Sequence, residues 1–365
     1  MSRVVVLTGF TPGLVYHRRP LLQALLQKGH DVLAVGPSGE DWVEENLEEI
    51  GVPFRALEVD RNHVRILDDL KYVGRIRALL RSVQPDFLLC TTVKPNIYGG
   101  WAAKSEGIPS AAMVTGLGAV FMNAGIRRAM AIRMFRRACR HHQTIFVQNT
   151  ADRDDLLRWR VVEDTSQFVL TAGSGIDLEA FPPLPLPEEP VFLMLSRLLQ
   201  AKGVLEYIEA SAHVRAAVPE ARMILAGGID DGPGSVPLSV VKAAADRGDL
   251  EYLGHVQDVH ALLSQASVCV LPSYHEGTPH CLLEGMASGR PVITTDVRGC
   301  REVVRHEETG LLVPAGDASA LASAMIRLAD NVKMRQEMGA SGRQLAESSF
   351  GAQEVAKRVM DGLGI

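Results

Sequence analysis

Short apolar runs of four or five residues recur along the chain, each followed by a longer stretch of mixed polarity, and the pattern fills both halves. Val4–Leu7, Asp31–Val35, Phe54–Leu57, Phe87–Cys90, Ala111–Val114 and Thr144–Gln148 form one series. Val191–Leu195, Arg222–Ala226, Leu250–Leu253, Val268–Leu271 and Pro291–Thr294 form a second. Runs this short predict buried strands, and the segments between them predict helices, so the expected fold is α/β with parallel, doubly wound sheets. Helices are expected from about Tyr16 to Lys28, near Ala318–Asn331 and near Ala352–Leu363. Five of the nine residues 182–190 are proline, which excludes a helix and predicts a stiff connection. The expected division is an N-terminal domain over 1–172, a linker over 173–190 and a C-terminal domain over 191–349.

A chain of 365 residues that is 47% hydrophobic can fill two sizeable cores. No apolar run approaches the roughly 20 residues that span a bilayer. Met1–Leu7 reads as a strand rather than the start of a signal peptide. The five cysteines, Cys90, Cys139, Cys269, Cys281 and Cys300, show no C-x-x-C spacing and read as reduced core residues, which predicts a cytoplasmic chain. A net charge of −5 without interleaved basic and aromatic residues argues against nucleic acid as a partner.

The charge is uneven. No Asp or Glu occurs between Glu106 and Asp152, a stretch that holds Arg127, Arg128, Arg133, Arg136, Arg137 and Arg140. Arg133, Arg136, Arg137 and Arg140 have the i, i+3, i+4, i+7 spacing of one helix face, expected opposite Met130, Met134, Phe135 and Ala138. A solvated face and a face docked on an anionic membrane both fit this stripe; the missing carboxylates favour docking.

The chemistry is concentrated in the second half. Glu276 and Glu284 stand seven residues apart after the apolar run Val268–Leu271. Thr278 is a candidate helix cap, Pro279 suits a first turn and Gly289 an end, so Glu276 is expected in a loop and Glu284 about 1.5 turns into a helix. Carboxylates beside a helix start suit a polyol phosphate: amides meet the phosphate and carboxylates accept from hydroxyls. Upstream, Ser196–Gly203 follows another apolar run and supplies Arg197 and Lys202, two cations suited to a diphosphate leaving group. Gly9 and Gly13 do not make a G-x-G-x-x-G loop, nor do Gly227, Gly228, Gly232 and Gly234, so a dinucleotide site is not expected. Asp152–Arg153–Asp154 reads as the acidic start of a helix and Asp230–Asp231 as a turn, rather than as metal sites.

This ordered set, with its E-x7-E pair, then Gly299, Glu302 and Thr309–Pro314, resembles the C-terminal half of retaining GT-B glycosyltransferases of the GT4-like group. Thr91–Gly100, with K-P-N-I-Y-G, and Thr115–Phe121, with T-G-L-G, resemble the PglA-like bacterial branch acting on polyprenyl-diphosphate-linked saccharides. The resemblance implies two Rossmann-like domains facing across a cleft, with helix 350–365 joining the first. It implies that Arg197 and Lys202 hold the donor diphosphate and that Glu276 contacts the transferred sugar, these three forming the catalytic set. It assigns Gly13, His280 and Cys281 to the donor, Glu284 to the ribose, and Gly254, His255 and Val256 to the base. Lys94, Asn96, Thr115 and Gly116 fall on the acceptor side. Many relatives carry a histidine near Thr115–Gly118; this chain does not, which leaves no obvious general base and suits a front-face path in which the departing phosphate takes the acceptor proton.

The implied activity is transfer of a hexose or N-acetylhexosamine from a nucleotide sugar, UDP-linked by expectation, to a polyprenyl-diphosphate saccharide. No cofactor and no metal is expected, and the protein is placed peripherally at the inner face of an anionic cell membrane. The alternatives are transfer to a soluble acceptor and a GT-B-fold sugar-nucleotide epimerase, which would need acid–base groups around the sugar and no acceptor pocket.

Overall fold

The computed structural model describes residues 1–39, 41–60, 65–117, 121, 125–230, 232 and 234–365. The chain forms two compact units, Met1–Gly175 with Ala352–Ile365, and Ile176–Gly351. The first contains β1 (Arg3–Thr8), β2 (Asp31–Gly36), β3 (Phe54–Ala56), β4 (Phe87–Thr91), β5 (Ser110–Val114), β6 (Thr144–Val147) and β7 (Phe168–Leu170). Its sheet order is β3-β2-β1-β4-β5-β6-β7, parallel throughout. The second contains β8 (Val191–Leu195), β9 (Arg222–Ala226), β10 (Glu251–Gly254), β11 (Val268–Leu271), β12 (Val292–Thr295) and β13 (Gly310–Val313). Its order is β10-β9-β8-β11-β12-β13, again parallel.

Alternation along each strand divides the first core in two. Val5 and Leu7 face a cluster with Tyr72, Ile76, Tyr98 and Phe135, from helices Ile66–Val83, Val93–Glu106 and Ile126–Cys139. Val4 and Val6 face the opposite cluster, with Leu22 and Leu25 from helix Arg19–Gln27 and Val359 and Met360 from the last helix, Ala352–Leu363. Thr144 also donates to the Gly362 carbonyl at 2.7 Å, fastening that helix to β6. Among the described residues no helix is long and apolar enough to cross a membrane.

Three local features differ from the sequence expectation. The helix expected over 16–28 is two helices, Pro12–Tyr16 and Arg19–Gln27, because Pro20 occupies the first turn of the second, where a missing N–H costs nothing. β7 and β13 were not expected as strands. β7 is an edge strand whose apolar run, Phe168–Leu170, is only three residues long, and β13 opens on Gly310. Glycine is needed there because a Cβ would lie 2.1 Å from the Val292 carbonyl oxygen of the adjacent strand.

The proline-rich stretch is strapped to the second unit. Fully buried Arg290 donates to the carbonyls of Leu184 (2.7 Å), Pro185 (2.8 Å), Leu263 (2.9 Å) and Ser288 (2.9 Å). Arg335 reaches the Glu188 carbonyl, and Arg343 the Phe181 carbonyl at 2.7 Å. The carbonyls of this proline-rich stretch have no strand ladder to satisfy them, so guanidinium groups do it. Replacing Arg290 by leucine keeps the volume and removes this donor from the Leu184 and Pro185 carbonyls, while those of Ser288 and Leu263 keep the N–H groups of Leu184 and Ala266, each at 3.2 Å. Hydrogen bonds to charged groups contribute about 1.5–3 kcal/mol each, so a loss of at least about 2 kcal/mol is expected in urea unfolding. An unchanged midpoint and slope would show that the strap contributes no net stability.

Candidate functional site

In each sheet the strand order reverses beside the first strand, between β1 and β4 and between β8 and β11. Ligands of open parallel sheets bind beyond the carboxyl ends of the strands at such a reversal. In the second unit the two flanking loops are Ser196–Gly203 after β8 and Pro272–Pro279 after β11. They meet: Lys202 Nζ lies 2.6 Å from Glu276 Oε1, and the Ser273 hydroxyl donates to the same oxygen at 2.6 Å. Glu276 is only 8% exposed, whereas the Lys202 side chain keeps 25%, so the pair opens to solvent on the lysine side.

Backbone contacts fix the two loops. The Tyr274 N–H donates to the Ala201 carbonyl at 2.9 Å, and its hydroxyl donates to Glu206 at 2.6 Å. Gly203 has φ +74°, and a Cβ there would sit 2.1 Å from the Pro272 carbonyl oxygen. Gly299 has φ +78°, and its Cβ would sit 2.4 and 2.5 Å from the carbonyls of Gly277 and Glu276. Both positions therefore require glycine for conformation and for space.

Helix His280–Ala287 follows the second loop, with Gly289 in the left-handed region just past its end. Its N-cap is Pro279 and no side chain caps it, so Thr278 does not play the capping role expected. No acidic residue occupies the first turn, and the helix start is left able to face an anion. Glu284 retains some exposed surface, but burial of its carboxyl among packed neighbours raises its pKa to about 7. Burial pushes the Cys281 thiol well above its ordinary value; the charges of Glu284 and Glu276 add to this and Lys202 opposes it. That thiol thus feels all three groups, which the fold has drawn around the helix start.

Arg197 is placed differently. Its guanidinium, 64% exposed, pairs with Asp230, which also accepts the Gly232 N–H at 2.8 Å. Asp231 lies outside the described residues. Of the residues assigned to the base, Gly254 accepts the Gly227 N–H at 2.7 Å, His255 is exposed and Val256 half-buried. Sequence reasoning missed Ser273, whose hydroxyl fixes Glu276; its only signal was a serine three residues before the glutamate.

In the first unit, Gly13 lies in helix Pro12–Tyr16 and donates to the Phe10 carbonyl at 3.0 Å. Asn96, Thr115 and Gly116 line one small cavity with Thr92, Val93, Leu117 and Phe135. Asn96 is buried and donates to the Met113 carbonyl at 2.9 Å. Lys94 is not among them: it forms a 2.7 Å ion pair with buried Asp69. Gly118, Ala119 and Val120 of the T-G-L-G segment lie outside the described residues. Asp152 lies in the acidic first turn of helix Thr150–Arg158, as expected, and Asn149 caps that helix, its Oδ1 accepting the Asp152 N–H at 2.7 Å.

On helix Ile126–Cys139 and its C-cap, Arg133, Arg137 and Arg140 are exposed, while half-buried Arg136 donates to the Trp159 carbonyl at 2.5 Å. Phe135 and Ala138 are buried as expected, but Met130 is not on the covered side. It is 50% exposed and shares a groove with Ile126 and the four arginines, because the helix packs through its C-terminal half.

A model of the family "Glycosyl transferases group 1" matches residues 189–331, and one of the "Glycosyl transferase 4-like domain" matches residues 13–173. The chain is 27% identical over 351 residues to the N,N'-diacetylbacillosaminyl-diphospho-undecaprenol alpha-1,3-N-acetylgalactosaminyltransferase of Campylobacter jejuni, covering 90% of each. It is 23% identical over 339 residues to the UDP-Gal:alpha-D-GlcNAc-diphosphoundecaprenol alpha-1,3-galactosyltransferase of Escherichia coli, covering 87% of this chain and 83% of that one. Among solved structures, Anabaena HepE in complex with UDP and glucose is similar with a TM-score of 0.82 at 16% identity over 100% of both chains, a likeness of fold. One family model falls on each unit and together they take in most of the sequence, so both units match glycosyltransferase families, in the fold of GT-B glycosyltransferases.

Proposed function

We propose that the protein is a retaining, metal-independent hexosyltransferase that moves a hexose or N-acetylhexosamine from a UDP-sugar to a polyprenyl-diphosphate-linked saccharide. The observation that carries this reading is the Lys202–Glu276 pair, fixed at the β8/β11 reversal beside an uncapped helix start. The Campylobacter and Escherichia relatives are named for transfer to undecaprenyl-diphosphate-linked sugars, and the second for UDP-Gal, which supports both substrates.

In the reaction the bond from the anomeric carbon to the β-phosphate oxygen breaks, and its electron pair leaves with the diphosphate. Lys202 and the helix-start amides offset the charge that develops there. Arg197 joins them by exchanging Asp230 for a phosphate oxygen, which its exposed position permits. The acceptor oxygen bonds to the anomeric carbon on the face being vacated, and its proton passes to the departing phosphate. Glu276, held by Ser273 and Lys202, accepts from hydroxyls of the transferred sugar. Glu284 accepts from the ribose; burial raises its pKa to about 7, and hydroxyl donors favour its carboxylate form.

The acceptor reading places the protein at the inner face of the membrane. Ile126 (81% exposed) and Met130 lie beside Arg133, Arg137 and Arg140, an apolar and cationic combination suited to an anionic bilayer.

A panel of UDP-, GDP- and dTDP-sugars assayed for transfer to a polyprenyl-diphosphate saccharide tests the function directly. Transfer from a UDP-sugar is expected, with Lys202→Ala slower by roughly 10- to 150-fold, the equivalent of about 1.5–3 kcal/mol for one charged hydrogen bond. A donor changed in structure without acceptor would indicate an epimerase instead, and undiminished turnover of Lys202→Ala would move the diphosphate elsewhere. For the membrane face, co-sedimentation with phosphatidylglycerol vesicles is expected for the wild type at low salt. It should weaken at 1 M salt, where the Debye length is about 3 Å, and in the Arg133/Arg137/Arg140→Gln variant. Equal sedimentation of both proteins would leave the stripe a solvated face.

A further inference from the structure

Arg18 is a buried cation that the protein itself does not satisfy. It sits between helices Pro12–Tyr16 and Arg19–Gln27 and is 6% exposed. The second helix runs back to the start of β2, so Arg18 at its head lies at the carboxyl edge of the first sheet, beside the loop that leaves β1 at the strand-order reversal. Among the described residues its side chain has neither a hydrogen bond nor an ion pair. Burial draws its pKa down to about 10, with no carboxylate opposing the shift, so it remains charged at neutral pH. The neighbouring His17 is no counter-charge: burial and then Arg18 itself lower its pKa to about 4.

Other arginines of this chain show how unusual that is. Arg290 and Arg335 are fully buried, and both are surrounded by backbone carbonyls that accept their N–H groups. Adjacent Arg19 bonds to Asn46 and Glu49, each at 2.9 Å. Desolvating an ion without a partner costs several kcal/mol, and folds rarely tolerate it unless an external group supplies the partner. The same sheet edge carries Lys94, but Asp69 already neutralises it at 2.7 Å.

We propose that Arg18 is the anion-binding residue of the first unit and that it takes the diphosphate of the lipid-linked acceptor, an assignment resting on the acceptor reading above. The guanidinium fork matches two phosphate oxygens at once, and a buried fork holds them more strongly than a solvated one. Three sources offer the same phosphate chemistry: the acceptor diphosphate, the donor diphosphate and a lipid headgroup.

The test uses the full chain saturated with UDP, so that the donor diphosphate site is filled, and inorganic pyrophosphate as probe, with binding read by calorimetry. Wild type should bind pyrophosphate, Arg18→Met at least tenfold more weakly, and Arg18→Lys in between. UDP affinity should be equal in all three. With acceptor saccharide, Arg18→Met should raise the acceptor KM and leave the donor KM alone. The ligand-free melting temperature of Arg18→Met should equal or exceed that of the wild type, because an unpaired buried charge is gone; if it falls, the comparison rests on Arg18→Lys, which keeps the charge and loses the fork. Equal pyrophosphate affinity in wild type and both variants overturns the proposal. So does a loss of UDP affinity, which gives Arg18 to the donor, or a loss of phosphatidylglycerol vesicle binding with pyrophosphate binding intact, which gives it to a headgroup. Pyrophosphate binding needs no turnover, so this result stands apart from whether the protein transfers a sugar to a lipid-linked acceptor.

Discussion

The Lys202–Glu276 ion pair is the contact on which the second unit's site depends. It joins the loops leaving β8 and β11, on either side of the place where the strand order reverses. A buried carboxylate is tolerated there because it has two donors, Lys202 and Ser273, and a lysine can stay partly open because Glu276 fixes its tip. The surrounding backbone leaves the pair little freedom. Gly203 lies against Pro272, Gly299 lies against Glu276 and Gly277, and Tyr274 holds both Ala201 and Glu206. A cation held this firmly needs little reorganisation when charge develops on a leaving group, which is the physical basis of electrostatic catalysis.

Charge placement separates the structural arginines from those proposed to meet ligands. Arg290, Arg335 and Arg343 turn inward and satisfy carbonyls that the proline-rich stretch leaves without ladder partners. Arg197 is surface-exposed and shares its charge with one aspartate, a contact weak enough to exchange. Arg18 is buried like the first group but has no partner among the described residues, and that combination singles it out. In sequence, Arg18 and Arg19 are indistinguishable neighbours; only the fold sends one to Glu49 and the other into the protein.

Much of the architecture was legible because parallel strands buried on both faces must be short apolar runs, and eleven such runs stand out. β7 escaped because its apolar run is only three residues long, and β13 because Gly310 answers to the Val292 carbonyl, not to strand propensity. The break in the first expected helix was present in the sequence as Pro20 and was overlooked. Of the candidate site, the meeting of the β8 and β11 loops followed from position after strands. The hydrogen bond of Ser273 to Glu276 did not, since a serine three residues before a glutamate in a loop is no signal by itself, nor did the ion pair of Lys94 with Asp69, since side-chain partners 25 residues apart carry no periodic signal. Met130 was assigned to the covered face from helical spacing alone, which cannot tell where along its length a helix stops packing.

The central claim is that fixed protein cations and helix-start amides carry the leaving diphosphate, with the new bond formed on the face it vacates. The most direct measurement is proton NMR of the first product formed from an α-linked UDP-sugar and a polyprenyl-diphosphate saccharide, with excess EDTA present. An α-linked product, formed at the rate seen without chelator, is the result this account predicts. A β-linked product, or turnover that stops in EDTA and returns with Mg²⁺ or Mn²⁺, would contradict it.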